Sequence, residues 1–213
     1  SLGEIELVHK IAPHAKMFFM HTIKAPEAIR AAYFDYGIRD FSLDHEDELS
    51  KILECTDNAT DLNLYVRIAL PKNENAAIDF SSKFGIKPSE APALIRACRK
   101  VSVKLGLCFH VGTQTMDAGA YGNAINVIKN IIHESHVKID CLDVGGGFPV
   151  PYEGENVPSI ENCLDVLHTA LRHAELDELE LFAEPGRCLV ALGGSLIVRV
   201  ELRKGNMLYI NDG

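Results

Sequence analysis

Short apolar runs alternate with longer segments of helical character along most of the chain. This alternation predicts βαβ units built around a parallel sheet. The predicted strands are KMFFM (16–20), DFSL (40–43), LNLYVRIAL (62–70), LCFHV (107–111), KIDCLDV (138–144) and LELFA (179–183). The segments between them predict helices over 25–36, 46–54, 88–104, 118–135 and 159–173, the later ones with apolar residues at i, i+3 and i+4 spacing.

The spacing of these strands fits two architectures. They recur about every 20 to 40 residues, and a (β/α)₈ barrel averages about 31 residues per unit. A doubly wound open sheet fits the same pattern equally well. Six predicted units are two fewer than a closed barrel contains. An arc of this size would leave two parallel edges and an apolar lumen exposed.

The last part of the chain has a different pattern. The runs 195–203 and 207–210, within SLIVRVELRKGNMLYI, have no helix between them, which predicts a β-hairpin. We therefore expect a partial barrel over residues 1–193 and the start of a second, β-rich domain over residues 194–213.

Composition excludes several classes of partner. The 213 residues are 47% hydrophobic and 24% charged, with a net charge of −9, which is typical of a globular protein and unfavourable for binding nucleic acid. No apolar stretch approaches the roughly 18 residues of a membrane span, and the start SLGEIELVHK lacks the pattern of a signal peptide. We expect a cytoplasmic protein that binds neither nucleic acid nor membrane.

The cysteines and histidines do not indicate a metal site. The six cysteines show no C-x-x-C spacing, so we expect reduced thiols packed as small apolar residues. His133 and His136 in HESH depart from the H-E-x-x-H metalloprotease motif and fit a solvated helix end better.

Residues able to do chemistry follow the predicted strands at their carboxyl ends, the edge that carries the active site in both barrels and open sheets. They are His21, Arg67, His110, Gly145 to Gly147, and Glu184 to Arg187. Three consecutive glycines suggest that something bulky or charged approaches the backbone closely, and their N–H groups suit a phosphate, although a tight turn is the alternative.

Each of the other residues also allows more than one interpretation. Arg187 suits bidentate phosphate binding, but it could instead pair with Glu184 across the EPGR turn. His110 could be a core histidine, yet Gly112 and Thr113 follow it as a second possible phosphate contact. Together the residues predict a ligand with both a phosphate and an aromatic ring.

The motifs VRIAL, SSKFG, FHVGTQ, LDVGGGFP, AEPGRCLVA and VRVELRKGNMLYINDG occur in this order. The series resembles the fold-type III, pyridoxal-phosphate-dependent ornithine/diaminopimelate/arginine decarboxylases. Phe148-Pro149 and YINDG are most similar to bacterial ornithine or lysine/ornithine decarboxylases. The resemblance implies a (β/α)₈ TIM barrel of the alanine-racemase-like type, present here as about six units.

The resemblance also implies an activity. It is the pyridoxal-phosphate-dependent decarboxylation of a small basic amino acid, with L-ornithine to putrescine expected first, in a homodimer with active sites at the interface. Lysine/ornithine and diaminopimelate decarboxylation are alternatives, as is a non-catalytic regulator of polyamine metabolism.

Residue roles follow from the same resemblance. His110 would lie against the pyridine ring, Glu184 would face the ring nitrogen, and Arg67 would lie near the ring hydroxyl. The phosphate would be bound by Thr113, Gly145, Gly146, Gly147, Gly186 and Arg187. A carboxylate at the ring nitrogen keeps it protonated, so the ring accepts the electrons left when CO₂ departs. Racemases of this fold place a cationic group there, so Glu184 favours decarboxylation.

Some family features are not matched. The Schiff-base lysine belongs upstream of residue 1, because neither Lys16 nor Lys24 has its context, and we treat Lys83 as a structural loop lysine. No cysteine here matches the catalytic cysteine of the family's second domain. We therefore expect this chain alone to be inactive. Three positions depart from the family pattern: His21, His45 and Thr113 replace an asparagine and two serines.

Overall fold

A curled sheet of six parallel strands forms the centre of the computed structural model, which describes residues 1–73, 76–78 and 83–212. In spatial order these strands are β1 (Phe18–Phe19), β2 (Asp40–Leu43), β3 (Asn63–Arg67), β5 (Lys104–Cys108), β7 (Cys141–Asp143) and β8 (Glu180–Phe182). All six predicted strands are present: β2 matches its prediction, β5 has the predicted length but begins three residues earlier, and the other four are shorter.

Helices follow most of the strands. They are α1 (Leu2–Ile11), α2 (Pro26–Arg30), α3 (Glu46–Cys55), α4 (Ala91–Arg99), α5 (Gly119–Ser135), α6 (Ile160–Ala174) and α7 (Arg187–Val190). A π-helical turn, Ala31–Asp35, extends α2. The predicted helix over 88–104 is too long, because Lys104 already begins β5.

The two faces of the sheet decide between the alternative architectures. The large core cluster joins helical residues such as Ile29, Ile52 and Ile125 to one face of the strands. The cluster on the other face contains strand and strand-end residues alone, namely Tyr65, Cys108 and Cys141 with Phe18, Met20 and Phe182 against them. Since a doubly wound sheet has helices on both faces, the sheet is part of a barrel and the open-sheet alternative is wrong.

Side chains partly fill the barrel lumen. The ring centroids of Phe18 in β1 and Phe182 in β8 lie 5.3 Å apart, so the first and last strands meet through their side chains. Tyr65 is only 1% exposed, and its hydroxyl donates to Asp40 at 3.1 Å. The expectation of an exposed apolar lumen is therefore wrong for this inner layer.

Strand register aligns the carboxyl ends of four strands. Arg67 at the end of β3 is in register with Cys108 of β5, Cys108 with Asp143 of β7, and Asp143 with Phe182 of β8. Residues that follow this row in sequence therefore emerge at one edge of the sheet.

His45 explains one departure from the family pattern. It is the N-cap of α3, and its Nδ1 accepts the backbone N–H of Asp47 at 3.1 Å. A serine at an N-cap accepts the same kind of hydrogen bond. The imidazole therefore makes a capping hydrogen bond that a serine at this position could also make.

Two short strands were not predicted from the sequence. β4 (Ala76–Ile78) and β6 (Thr113–Thr115) pair antiparallel, with Ile78 opposite Thr113. The predicted hairpin is present as β9 (Val200–Lys204) and β10 (Met207–Ile210), and every residue of both strands is exposed. The division into two domains stays a prediction.

The cysteines pack as expected. Cys188 is half-buried, and the other five are buried, all of them free thiols. Within the described residues, no helix is long and apolar enough to cross a membrane. The same residues contain no group of three or more His, Cys, Asp or Glu side chains placed to bind a metal.

Candidate active site

The loops above the aligned strand ends bring most of the predicted site residues together. His110, Gly145 and Glu184 each lie two residues beyond the row of residues in register. Arg67 belongs to the row itself. Parallel strand ends thus gather a cation, an imidazole, a glycine loop and a carboxyl at one edge.

The three glycines after β7 are required by the backbones of neighbouring loops. Gly145 has a φ of +67°, and a Cβ there would overlap the carbonyl oxygen of Phe109. A Cβ on Gly146 would lie 2.5 Å from the carbonyl oxygen of Glu184. A Cβ on Gly147, which has a φ of +95°, would overlap the carbonyl oxygen of Gly112, in the same loop as Phe109. The close approach that the triple glycine indicated is therefore made by the protein's own main chain.

The main-chain groups of this glycine loop, residues 145–147, fall into two sets. Its carbonyls accept hydrogen bonds from other parts of the protein: the Glu184 N–H donates to Gly145 O at 2.8 Å, and the Tyr121 hydroxyl donates to Gly146 O at 3.1 Å. The N–H groups of Gly146 and Gly147 have no acceptor in the part of the chain that the structure describes, although Gly146 is buried. Neighbouring free N–H groups suit an anion such as a phosphate.

His110 is held as a neutral imidazole. Burial, and secondarily the charge of Arg67, lower the pKa of His110 from 6.5 to about 4. Its Nδ1 accepts the N–H of Gly112 at 3.0 Å, so the neutral ring carries its proton on Nε2. Nε2 lies 3.3 Å from the position of a Cβ on Gly146. An uncharged flat ring beside the glycine loop suits stacking on an aromatic ligand.

Glu184 has an unusual environment for a carboxyl. Desolvation and the nearby Asp143 carboxylate raise the pKa of Glu184 to about 7, while Arg67 opposes the shift. The residue remains open to solvent at the rim. Glu184 can therefore hold or release a proton near neutral pH, the property expected of a group that shares a proton with a ring nitrogen.

Asp143 is a site residue that the sequence analysis missed. It is 4% exposed, and burial raises its pKa, whereas the Gly145 N–H and Arg67 both lower it. Its carboxylate accepts that N–H at 2.8 Å. The available signal was an acid within the apolar run LDV, a position where a buried strand normally carries no charge.

Arg67 is held in place by residues 84–86. Its guanidinium carbon lies 5.2 Å from the ring centroid of Phe84, and its carbonyl accepts the Ile86 N–H at 2.8 Å. The Gly85 N–H donates to Asp44 at 2.8 Å. Lys83, in the SSKFG motif, is exposed beside Phe84, and the two serines of that motif lie outside the described residues.

The remaining residues predicted to bind the phosphate, Thr113, Gly186 and Arg187, have fewer contacts with the rest of the site. Thr113 begins β6, directly after Gly112, whose N–H donates to His110. Gly186 is exposed with open space around its Cα. Arg187 begins α7 and donates to the Tyr152 hydroxyl at 3.2 Å, and it forms no ion pair with Glu184 among the described residues. Their phosphate-binding roles stay predictions.

Two further residues of the sequence analysis lie beside the site. The His21 ring is 5.4 Å from the Phe84 ring, and its Nδ1 accepts the Ile23 N–H at 3.2 Å. The Lys24 side chain is fully buried and paired with Glu48 at 3.0 Å. Lys24 is thereby committed to a structural ion pair, in keeping with its assignment as a lysine other than the Schiff-base residue.

Comparison with known proteins identifies the family. The model of the pyridoxal-binding domain of pyridoxal-dependent decarboxylases matches residues 1–191. The chain belongs to this family. The family resemblance and its cofactor, pyridoxal 5'-phosphate, are thereby confirmed.

Individual relatives of this decarboxylase family are about 30% identical to the chain. The lysine/ornithine decarboxylase of Selenomonas ruminantium is 30% identical over 206 residues, covering 94% of this chain and 51% of that protein. Antizyme inhibitor 2 of Xenopus laevis is 31% identical over 237 residues, covering 100% and 50%. The crystal structure of the Vibrio vulnificus lysine/ornithine decarboxylase with cadaverine aligns with a TM-score of 0.73 at 32% identity, covering 88% and 49%. The chain thus spans about half the length of the relatives it matches.

Proposed function

We propose that the protein is a pyridoxal-phosphate-dependent decarboxylase of a basic amino acid, with L-ornithine as the first candidate substrate and putrescine as its product. The observation that carries the proposal is Glu184: its backbone carbonyl meets the glycine loop, and its carboxyl shares a cavity with Asp143 and has a pKa raised to about 7.

The described residues fit the cofactor. The free N–H groups of Gly146 and Gly147 suit the phosphate, with Arg187 as the charged partner. The neutral imidazole of His110 offers a face to the ring. Arg67, on the same strand-end row, would bind on the side of the ring hydroxyl. Each of these groups belongs to a separate strand end, so the barrel edge supplies the arrangement.

The reaction class follows from the group at the ring nitrogen. When bound, pyridoxal phosphate supplies a ring that accepts the electrons released as CO₂ leaves. Glu184 would hold a proton at the nitrogen and so strengthen this electron withdrawal. His110, without charge, would orient the ring and leave the proton at the nitrogen to Glu184. Arg67, as a nearby cation, would favour the negatively charged form of the ring hydroxyl.

The choice of substrate is supported by the names of the relatives. The S. ruminantium and V. vulnificus proteins are both named for lysine and ornithine, which supports a basic amino acid. The motifs Phe148-Pro149 and YINDG favour ornithine. A homodimer is proposed on the family resemblance, and its mass can be measured by analytical ultracentrifugation.

A non-catalytic regulator is the second candidate. The similarity to antizyme inhibitor 2, which spans the whole chain, favours it. Its sequence-level marker would be a residue other than lysine at the Schiff-base position, upstream of residue 1.

The full-length protein distinguishes the candidates. We expect CO₂ release from ornithine, compared side by side with lysine and diaminopimelate, and an absorbance band of bound pyridoxal phosphate. Glu184→Gln should greatly reduce turnover while leaving cofactor bound, whereas Glu180→Gln, at the opposite end of β8, should not. Bound cofactor without CO₂ release would favour the regulator, and absence of bound cofactor would contradict the proposal.

A further inference from the structure

Asp143 and Glu184 are joined through a single residue. The Asp143 carboxylate accepts the Gly145 N–H at 2.8 Å, and the Glu184 N–H donates to the Gly145 carbonyl at 2.8 Å. Since Gly145 admits no Cβ, this link is fixed by the Phe109 backbone. The two acids therefore have a defined relative position that does not depend on either side chain alone.

Both acids line one cavity inside the barrel. It measures about 350 Å³, and its other lining residues are Phe18, Met20, Phe182 and Ala183. The walls are thus apolar apart from the two carboxyls. In such surroundings the field of one carboxylate acts strongly on the other.

The groups facing Asp143 can be named element by element. β3 contributes Arg67 and β5 contributes Cys108, while His110 in the loop after β5 interacts with Arg67. The segment after β8 contributes Glu184. From β1 and the residue after it, the cavity-lining Phe18 and Met20 are not ionisable. Arg67 is therefore the one cation among these groups, set against two acids.

The two acids are not equivalent. Burial raises the pKa of Asp143, but the Gly145 N–H that it accepts and the charge of Arg67 both stabilise its charged form. The Glu184 carboxyl has no such donor among the described residues. The first proton to enter the pair should therefore go to Glu184, leaving Asp143 negative.

We propose that Asp143 is a positioning residue for the cofactor: its buried negative charge keeps a proton on Glu184 and on the ring nitrogen that Glu184 faces. The inference rests on the proposed function, since it assumes that pyridoxal phosphate binds at this edge. It adds that the protonation of Glu184, the acid opposite the ring nitrogen, depends on the charge of Asp143 on the neighbouring strand. Loss of the Asp143 charge should therefore let the ring nitrogen lose its proton at lower pH.

Asp143→Asn separates charge from structure. The asparagine oxygen can still accept the Gly145 N–H, while the negative charge is removed. In full-length protein loaded with pyridoxal phosphate labelled with ¹⁵N in the ring, we expect the ring-nitrogen resonance to titrate about one pH unit lower than in the wild type. Asp143→Glu, which keeps the negative charge, should titrate closer to the wild type than Asp143→Asn does. Glu180→Gln, which removes an acid paired with Lys104 at the other end of β8, should leave the titration unchanged.

A measurement on the wild type tests the proposal even if the Asp143→Asn variant does not fold. With ¹³C-labelled aspartate and glutamate carboxyls in cofactor-free protein, Asp143 should titrate below Glu184. The reverse order would overturn the proposal, because Asp143 would then be neutral when Glu184 ionises. An unchanged ring-nitrogen titration in Asp143→Asn with cofactor bound would overturn it as well. Failure of the proposed function looks different: the wild type would bind no cofactor or release no CO₂.

Discussion

The ammonium of Lys24 lies 2.6 Å from the carbonyl oxygen of Ser42. The contact crosses from the loop after β1 to β2, and the same ammonium also pairs with Glu48 at 3.0 Å in α3. One buried cation thus holds three chain segments together near the candidate site.

Replacement of Lys24 by methionine should destabilise the fold. It removes the partner of a nearly buried acid, although Lys51 still pairs with Glu48, so we expect a loss of about 2–4 kcal/mol. Urea unfolding of the two proteins measures the difference. Lys87→Met is the matched control, because the Lys87–Glu90 pair is exposed and should contribute less than about 1 kcal/mol. Equal losses in the two variants would contradict the assignment.

The N-cap of α3 provides a second test. His45→Ala should cost about 1 kcal/mol, because it removes the acceptor of the Asp47 N–H, whereas His45→Ser should be nearly neutral. Chemical unfolding of both variants checks this. A serine variant as unstable as the alanine variant would show that the imidazole does more than cap the helix.

Gly146→Ala should weaken cofactor binding. The new methyl group would lie 2.5 Å from the Glu184 carbonyl oxygen and 3.3 Å from His110 Nε2, so the loop must shift. We expect affinity for pyridoxal phosphate to fall at least about tenfold, consistent with a displacement that costs more than about 1.4 kcal/mol. Fluorescence titration of the full-length apoprotein measures it. Gly122→Ala in α5 is the control, because its methyl would make an ordinary contact with Val166 of α6 at 3.7 Å. This variant should bind the cofactor as well as the wild type does.

Histidine 110 should make stability depend on pH. Its pKa of about 4 lies below the ordinary 6.5, so the unfolded chain takes up a proton between these values that the folded chain does not. Its contribution is therefore fully present above pH 6.5 and is lost as pH falls towards 4. His110→Gln should flatten this slope in urea unfolding, while the exposed His168→Gln should not.

Glutamate 184 should act in the opposite direction. Its pKa of about 7 lies above the ordinary 4.5, so the folded chain keeps a proton that the unfolded chain releases. Stability should therefore decrease as pH rises from about 4.5 to 7, and Glu184→Gln should remove this decrease. Because the residue is open to solvent, we expect the slope to be modest. An identical pH profile in the wild type and the variant would count against a raised pKa.

Local pattern predicted the parts of the fold that local sequence controls. β2 was predicted to the residue and the start of α3 at Glu46, because alternation and capping residues act over a few positions. The closure of the sheet could not be predicted, since strands covered on both faces have the same apolar run in a barrel and in an open sheet. It became clear only from the position of the helices.

The candidate site shows the same division. His110, Gly146 and Glu184 could be selected from sequence because strand ends and glycines mark them. Asp143 was missed: an acid within an apolar run was a signal for it, but its link to Glu184 arises from the register of β7 and β8. Which groups approach the three glycines could likewise not be predicted, because the approaching backbones come from distant parts of the chain.

The glycine loop meets two neighbouring loops, the one after β5 at Gly145 and Gly147 and the one after β8 at Gly146. A change in either of those loops alters how much room the glycines have, so the effects of mutations in separate loops should not add. Substitutions that are harmful one at a time could then be tolerated in combination. The loop would therefore make the evolutionary history of this site epistatic, with changes at distant strand ends accepted together or not at all.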